Sequence, residues 1–202
     1  MKGDPPAIPS GGRFDLRDAR ILCADETLSG QEVLSQILMG FGVQTVSRVE
    51  TPEAFRKAMT DRSFDLVLMD SALGGNGYEQ VRWLRTSRLE PNRYTPAIVV
   101  AGHTPKSQVE IARDCGASFV VAKPISPSVL LQRILWIGRA GRLFVEAPNY
   151  TGPDRRFHHE GVPAGMKGRR KDDLSGQLGE AVDRNMSQDE IDGMMKPQRL
   201  AL

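Results

Sequence analysis

Three short, unbroken apolar runs, each stopped by a charged residue, organise this chain. Ile21-Leu22-Cys23-Ala24 ends at Asp25-Glu26, Leu66-Val67-Leu68-Met69 at Asp70, and Phe119-Val120-Val121-Ala122 at Lys123-Pro124. Runs of this length without polar alternation predict strands buried on both faces, the pattern of a parallel sheet. Between them the spacing becomes helical. Val33, Leu34, Ile37, Leu38 and Phe41 share one face of a helix predicted over 28–40, with Gly42 placed as a left-handed stop. Val43 to Val49 reads as a strand. Thr51-Pro52 starts the next helix, with Thr as N-cap and Pro in the first helical position, and Ala54, Phe55, Ala58 and Met59 line it. After Asp70 a glycine-rich loop, Gly74-Gly75-Asn76-Gly77, leads into a helix from Tyr78 to about Arg85 that carries Val81 and Leu84 inward. Ala97 to Val100 is a fourth apolar strand, and Gln108 to Asp114 a short helix closed by Gly116. Ser126-Pro127 opens a last helix striped by Val129, Leu130, Ile134, Leu135 and Ile137.

Strands alternating with helices over 19–140 predict an α/β fold, a flavodoxin-like, doubly wound five-stranded parallel sheet. Ligands of such sheets bind beyond the carboxyl ends of the strands. Asp25, Glu26, Asp70 and Lys123 are therefore expected to converge at one edge. Clustered carboxylates repel unless a cation joins them, and hard oxygen donors of this kind suit Mg²⁺, which takes one or two carboxylates and fills its other positions with water and phosphate oxygens.

Composition adds little to this picture and excludes several alternatives. A net charge of +2 over 202 residues is too small to argue for DNA. No stretch is long and apolar enough to insert in a membrane, and Met1-Lys2-Gly3-Asp4-Pro5-Pro6 lacks a signal-like apolar segment, so the expected location is the cytoplasm. Cys23 and Cys115 read as reduced core thiols. Gly, Pro and charge concentrate at the two ends. They divide the chain into a disordered arm over 1–18, the α/β domain over 19–140, a largely disordered Arg-rich tail over 141–185, and a short amphipathic helix over 186–202.

The acid pair Asp25-Glu26, the segment Asp65-Leu66-Val67-Leu68-Met69-Asp70 and Lys123-Pro124, in this order and each at a strand end, resemble the receiver (CheY-like) domain of bacterial response regulators. The resemblance implies that Asp70 is the phosphoryl acceptor, the donor being a histidine kinase. It implies that Glu26 and Asp70 bind Mg²⁺ directly, that Asp25 holds it through water, that the Ala72 carbonyl is a further ligand, and that Lys123 pairs with the carboxylate and then with the phosphoryl group. In-line transfer to a carboxylate does need cations to neutralise the equatorial oxygens. Three departures stand out. Ala101, followed by Gly102, occupies the place of the family's hydroxyl residue, with Thr104 three positions on. Val120 replaces the aromatic switch residue, and Phe119 belongs to the other face of its strand. The loop after Asp70 has Gly74 in place of the family's proline and is one residue short. The hydroxyl–aromatic switch is thus expected to be broken.

After the last helix, Tyr150-Thr151-Gly152-Pro153-Asp154-Arg155-Arg156-Phe157 and Gly168-Arg169-Arg170 carry two arginine pairs. A guanidinium fork suits phosphate and the Hoogsteen edge of guanine, it stacks on bases, and a carboxylate such as Asp154 can accept from guanine N–H groups. These residues resemble the arginine-rich extension of the Cle proteins, CheY-like effectors of cyclic di-GMP. The resemblance implies a ligand site of Tyr150, Asp154, Arg155, Arg156, Phe157, Arg169 and Arg170, and action on flagellar motor switch proteins that alters motility and surface attachment, with recruitment to the flagellar pole.

Further on, Met186-Ser187-Gln188-Asp189-Glu190-Ile191-Asp192-Gly193-Met194-Met195 starts with a capping box, Ser187 and Glu190, and places Ile191, Met194 and Met195 on one side of a helix. The segment is similar to the "LSQxEIDALL" peptide of flagellar switch proteins, which implies docking on a receiver face, its own or another's. The leading reading is a non-enzymatic, stand-alone signalling effector. A phosphorelay receiver using Asp70 and a small α/β phosphatase are the alternatives, and Ala101 speaks against both.

Overall fold

The computed structural model describes residues 15–140, 144–147, 150–154 and 185–195. Strands β1 (Arg20–Ala24), β2 (Thr45–Val49), β3 (Leu66–Asp70), β4 (Ala97–Ala101) and β5 (Phe119–Ala122) alternate with helices α1 (Leu28–Gly40), α2 (Pro52–Asp61), α3 (Gly77–Thr86), α4 (Lys106–Asp114) and α5 (Pro127–Ala140). All five strands are parallel, in the order β2-β1-β3-β4-β5. The order reverses between β1 and β3, which opens a crevice beyond their carboxyl ends. The apolar runs are buried as their lack of alternation requires: β3 and β4 are buried throughout, and in β1 only Arg20 is exposed.

Local chemistry sets the element ends. The Thr27 hydroxyl accepts from the Gly30 N–H and the Thr51 hydroxyl from the Ala54 N–H, each at 3.1 Å, capping α1 and α2. Gly42 takes φ +91° after α1. The apolar stripe of α1 is not centred where the spacing put it. Leu34 and Leu38 are buried, but Val33 is 47% exposed, and Gln31 and Ser35 are buried instead. The cause is a polar tie: the Gln31 amide donates to the carbonyls of Asp25 (2.8 Å) and Val49 (3.2 Å), and so turns this side of α1 toward the ends of β1 and β2.

Among the described residues, a hairpin and a helix follow the sheet. A hairpin of β6 (Phe144–Ala147) and β7 (Tyr150–Pro153), within the stretch read as tail, packs at the amino-terminal edge of the sheet. Phe144 meets the Tyr94 ring edge-on at 5.8 Å and lies under the Arg85 guanidinium at 4.9 Å. Glu146 pairs with Arg93 at 3.0 Å and accepts from the Tyr94 hydroxyl at 2.5 Å. Arg85 itself is 1% exposed and donates to the carbonyls of Gly116 and Arg93, while burial pushes its guanidinium down to about 10. The second element, α6 (Gln188–Met195), lies against β5 and α4 and starts with the predicted capping box, the Ser187 N–H donating to Glu190 Oε2 at 2.8 Å. Ile191 and Met195 are buried, as is Asp192.

Gly116 shows how closely the hairpin seats. Its φ is +91°, and a Cβ there would lie 2.6 Å from the Thr151 carbonyl oxygen and 2.9 Å from Arg85 Cγ. Gly116→Ala is expected to cost about 1–3 kcal/mol in urea unfolding, from left-handed backbone strain and displacement of the hairpin. Gly102→Ala, where a Cβ would meet nothing within 4 Å, serves as the near-neutral control.

Candidate functional site

Strand register builds the site. Ala24 pairs with Met69, Asp70 with Val100 and Ala101 with Ala122, so the residues that follow β1 and β5 and the last residue of β3 meet at one edge. Asp25 is fully buried and Asp70 is 5% exposed. Lys123 Nζ lies 3.4 Å from Asp25 Oδ2 and 3.2 Å from Asp70 Oδ1, and so bridges the two acids. Asp25 Oδ1 accepts from both the N–H (2.8 Å) and the hydroxyl (2.7 Å) of Thr27. These contacts are what make two nearly buried carboxylates tolerable, since a buried charge without a partner costs several kcal/mol. Gly30 leaves the room: a Cβ there would sit 2.2 Å from Asp25 Oδ2.

Of the predicted set, Asp25, Asp70 and Lys123 thus come together, and Glu26 does not. It is exposed, and among the described residues no three His, Cys, Asp or Glu side chains gather closely enough to hold a metal. The reason is local. Asp25 turns in to be held by Thr27, and the next residue along the extended chain is left at the rim. Ala72 is also exposed, and its carbonyl accepts from the Gly75 N–H at 2.7 Å within the turn Leu73–Gly75.

The departures at β4 and β5 have structural counterparts. Ala101 is buried and offers only a methyl group at the end of β4. Thr104 does not stand in for the missing hydroxyl. Its Oγ1 donates to the Met186 carbonyl (3.2 Å), its N–H to Asn185 Oδ1 (3.0 Å), and its carbonyl accepts from the Met186 N–H (2.7 Å). Phe119 is buried against α5, edge-on to Trp136 at 5.0 Å and beneath the Arg133 guanidinium at 5.5 Å.

Of the residues expected to hold a nucleotide, Tyr150 and Asp154 belong to β7 and its end, at the opposite edge of the sheet from Asp70. The Tyr150 hydroxyl donates to the Pro153 carbonyl at 2.9 Å. Arg155, Arg156, Phe157, Arg169 and Arg170 lie outside the described residues. The sequence reading missed the α5 residue Arg133, which pairs with Asp192 of α6 with both side chains nearly buried. A lone arginine in an apolar stripe gave no signal of that role.

Known proteins place this arrangement. The response regulator receiver domain model matches residues 21–135. A stretch of 121 residues is 29% identical to hybrid signal transduction histidine kinase E of Dictyostelium discoideum, spanning 58% of this chain and 7% of that relative. Among solved structures, a CheY-like receiver domain protein of Methanospirillum hungatei is 25% identical with a TM-score of 0.52, over 58% of this chain and 90% of its own. The chemotaxis response regulator CheY4 of Vibrio cholerae, 21% identical, shares the fold with a TM-score of 0.53 over 59% of this chain and 98% of its own. With more than half of its length inside the domain match, the chain belongs to the response regulator receiver domain family of two-component signalling.

Proposed function

We propose that this receiver binds cyclic di-GMP through its Arg-rich segment and acts on flagellar motor switch proteins in the cytoplasm, at the flagellar pole, to control motility and surface attachment. It does so as a signalling protein and not as an enzyme. The observation that supports this reading is that both flanks of the segment are seated on the receiver. β7 ends at Pro153–Asp154, immediately before Arg155-Arg156, and Asn185-Met186 are bonded to Thr104. A ligand that gathers the arginine pairs therefore acts on chain whose two ends are already fixed, which lowers the ordering cost. Arg155, Arg156, Arg169 and Arg170 supply forks for phosphate and guanine, Asp154 accepts from guanine, and Phe157 stacks. Tyr150, tied to its own hairpin, holds the start of the segment in place.

Calorimetry on the full chain tests this. Cyclic di-GMP is expected to bind at micromolar concentration, and Arg155→Ala or Arg169→Ala to weaken binding by about tenfold to a hundredfold, the loss of one charge-assisted contact of ~1.5–3 kcal/mol. No heat with the wild-type chain would refute the reading.

A second reading is favoured by one distance, the 3.2 Å between Lys123 Nζ and Asp70 Oδ1: Asp70 accepts a phosphoryl group from a histidine kinase. Receiver domains typically bind Mg²⁺ at this site. The residues fit that ion. Asp25 and Asp70 leave one negative charge that Lys123 does not balance, Glu26 stands one residue away at the rim, and carboxylate and carbonyl oxygens, including that of Ala72, are the hard donors Mg²⁺ prefers. When bound, the ion supplies charge neutralisation for the phosphoryl oxygens. Lys123, itself held by Asp25, orients the Asp70 carboxylate, and the nearly complete burial of both acids limits access of water.

A further inference from the structure

β5 is one of the two edge strands of the five-stranded sheet, and an edge strand presents unpaired backbone groups. One side chain of α6 answers two of them. Gln188 Nε2 donates to the Val120 carbonyl and Gln188 Oε1 accepts from the Ala122 N–H, both at 2.8 Å, so a single amide pairs with the strand as a neighbouring strand would. Gln188 Nε2 also reaches Asp192 Oδ1 at 3.1 Å, which sets the carboxylate that pairs with Arg133 of α5. Ile191 and Met195 fill the groove, at 0% and 4% exposure. The three fixed points are thus an amide at one position and an Ile-Asp pair three and four residues later. They demand a helix, because only helical spacing puts all three on one side.

Eight residues are too few to form a stable helix alone. α6 therefore owes its form to the groove, and it is held there by the covalent connection through residues 155–184, which raises its local concentration. We propose that α6 is an exchangeable occupant of a helix-docking groove formed by α4, β5 and α5, and that it withholds this groove from a partner protein's amphipathic helix carrying the same Gln-x-x-Ile-Asp pattern. Exchange needs neither a nucleotide nor a phosphoryl group. It does touch the acid pocket, because the residue whose N–H Gln188 holds, Ala122, directly precedes Lys123, and because Thr104, bonded to Asn185 and Met186, lies in the loop between β4 and α4. By linkage, anything that shifts either contact shifts the affinity for the incoming helix equally.

The probe is a fluorescent peptide of residues 185–195, titrated by anisotropy into full-length chains. Ile191→Asp opens the groove while leaving every receiver residue in place. Gln188→Ala, which removes only the amide bonds, is the milder second variant. The opened chains are expected to bind the peptide about tenfold or more tightly than wild type, the factor set by the fraction of wild-type molecules whose groove is free. Adding Arg133→Glu to the opened chain abolishes binding, and a peptide carrying Asp192→Arg restores it. Equal binding by wild-type and opened chains would overturn the proposal, as would opened chains with native circular dichroism that ignore the peptide. A wild-type dimer that Ile191→Asp converts to a monomer would overturn it too, since the occupant would then be exchanged between copies.

Discussion

Phe119→Ala is expected to lower the unfolding free energy by about 3–5 kcal/mol, a large share of the ~5–15 kcal/mol that holds an ordinary domain together. The ring is fully buried, and it is held on two sides by α5: Trp136 meets it edge-on at 5.0 Å with an interplanar angle of 88°, and the Arg133 guanidinium lies 5.5 Å from its centroid. An alanine leaves a cavity at the junction of β5 and α5 that neither neighbour can fill without leaving its own contacts. It also removes the surface against which Arg133 is oriented toward Asp192, so the seat of α6 loosens with the core. Burial pushes the Arg133 guanidinium below the usual arginine range, with Asp189 acting in the other direction. Chemical denaturation reads the first effect as a lower midpoint at unchanged slope. Hydrogen exchange reads the second as loss of protection at Ile191 beyond that caused by global unfolding. Phe119→Leu, which keeps most of the volume, should cost clearly less. A loss under about 1 kcal/mol for the alanine variant would contradict the packing described here.

The contrast between what the chain announced and what it concealed follows from the physics of each feature. β1, β3 and β5 were legible because a strand buried on both faces must be apolar at every position, and the charge that ends it must lie at the sheet edge. The same logic located Asp25, Asp70 and Lys123. At Glu26 it goes no further than the rim of the crevice, because the sequence does not say which of two adjacent acids Thr27 holds inward, and in the structure that acid is Asp25. The β6–β7 hairpin was missed because Phe144-Val145-Glu146-Ala147 has no period-two alternation and its docking depends on Arg85, a buried arginine that residue type alone would place at the surface. α6 was legible as a helix through its capping box, yet its seat rests on Asp192 and Arg133, two charges whose burial only the pairing explains. The misplaced stripe of α1 has the same origin: Gln31 is inside because backbone carbonyls at the ends of β1 and β2 need a donor there.

Acetyl phosphate in the presence of Mg²⁺ is expected to label the wild-type chain at Asp70, and Asp70→Asn to reduce the label to background. Oδ of Asp70 forms the new bond to phosphorus, the phosphorus–oxygen bond to the acetyl group breaks, and acetate leaves with the electron pair. Lys123, 3.2 Å away, is positioned to follow the negative charge onto the phosphoryl oxygens. Full labelling of Asp70→Asn would remove Asp70 from this role. The larger consequence concerns what labelling does not do. In the wild-type chain, amide resonances of α4, β5 and α6 should remain where they are, for two separable reasons. Ala101 gives the phosphoryl group no hydroxyl with which to draw in the end of β4, and Thr104 is already engaged by Asn185 and Met186 through three hydrogen bonds. Ala101→Thr supplies the missing donor and is expected to spread the shifts to Thr104 and Met186. If the response also requires α6 to leave, Ala101→Thr combined with Gln188→Ala spreads them further, through Ala122 to the whole edge of β5. Broad shifts across α4 and β5 on labelling the wild-type chain would show that this receiver transmits its phosphoryl state without a hydroxyl at position 101, and the account of a broken switch would fall.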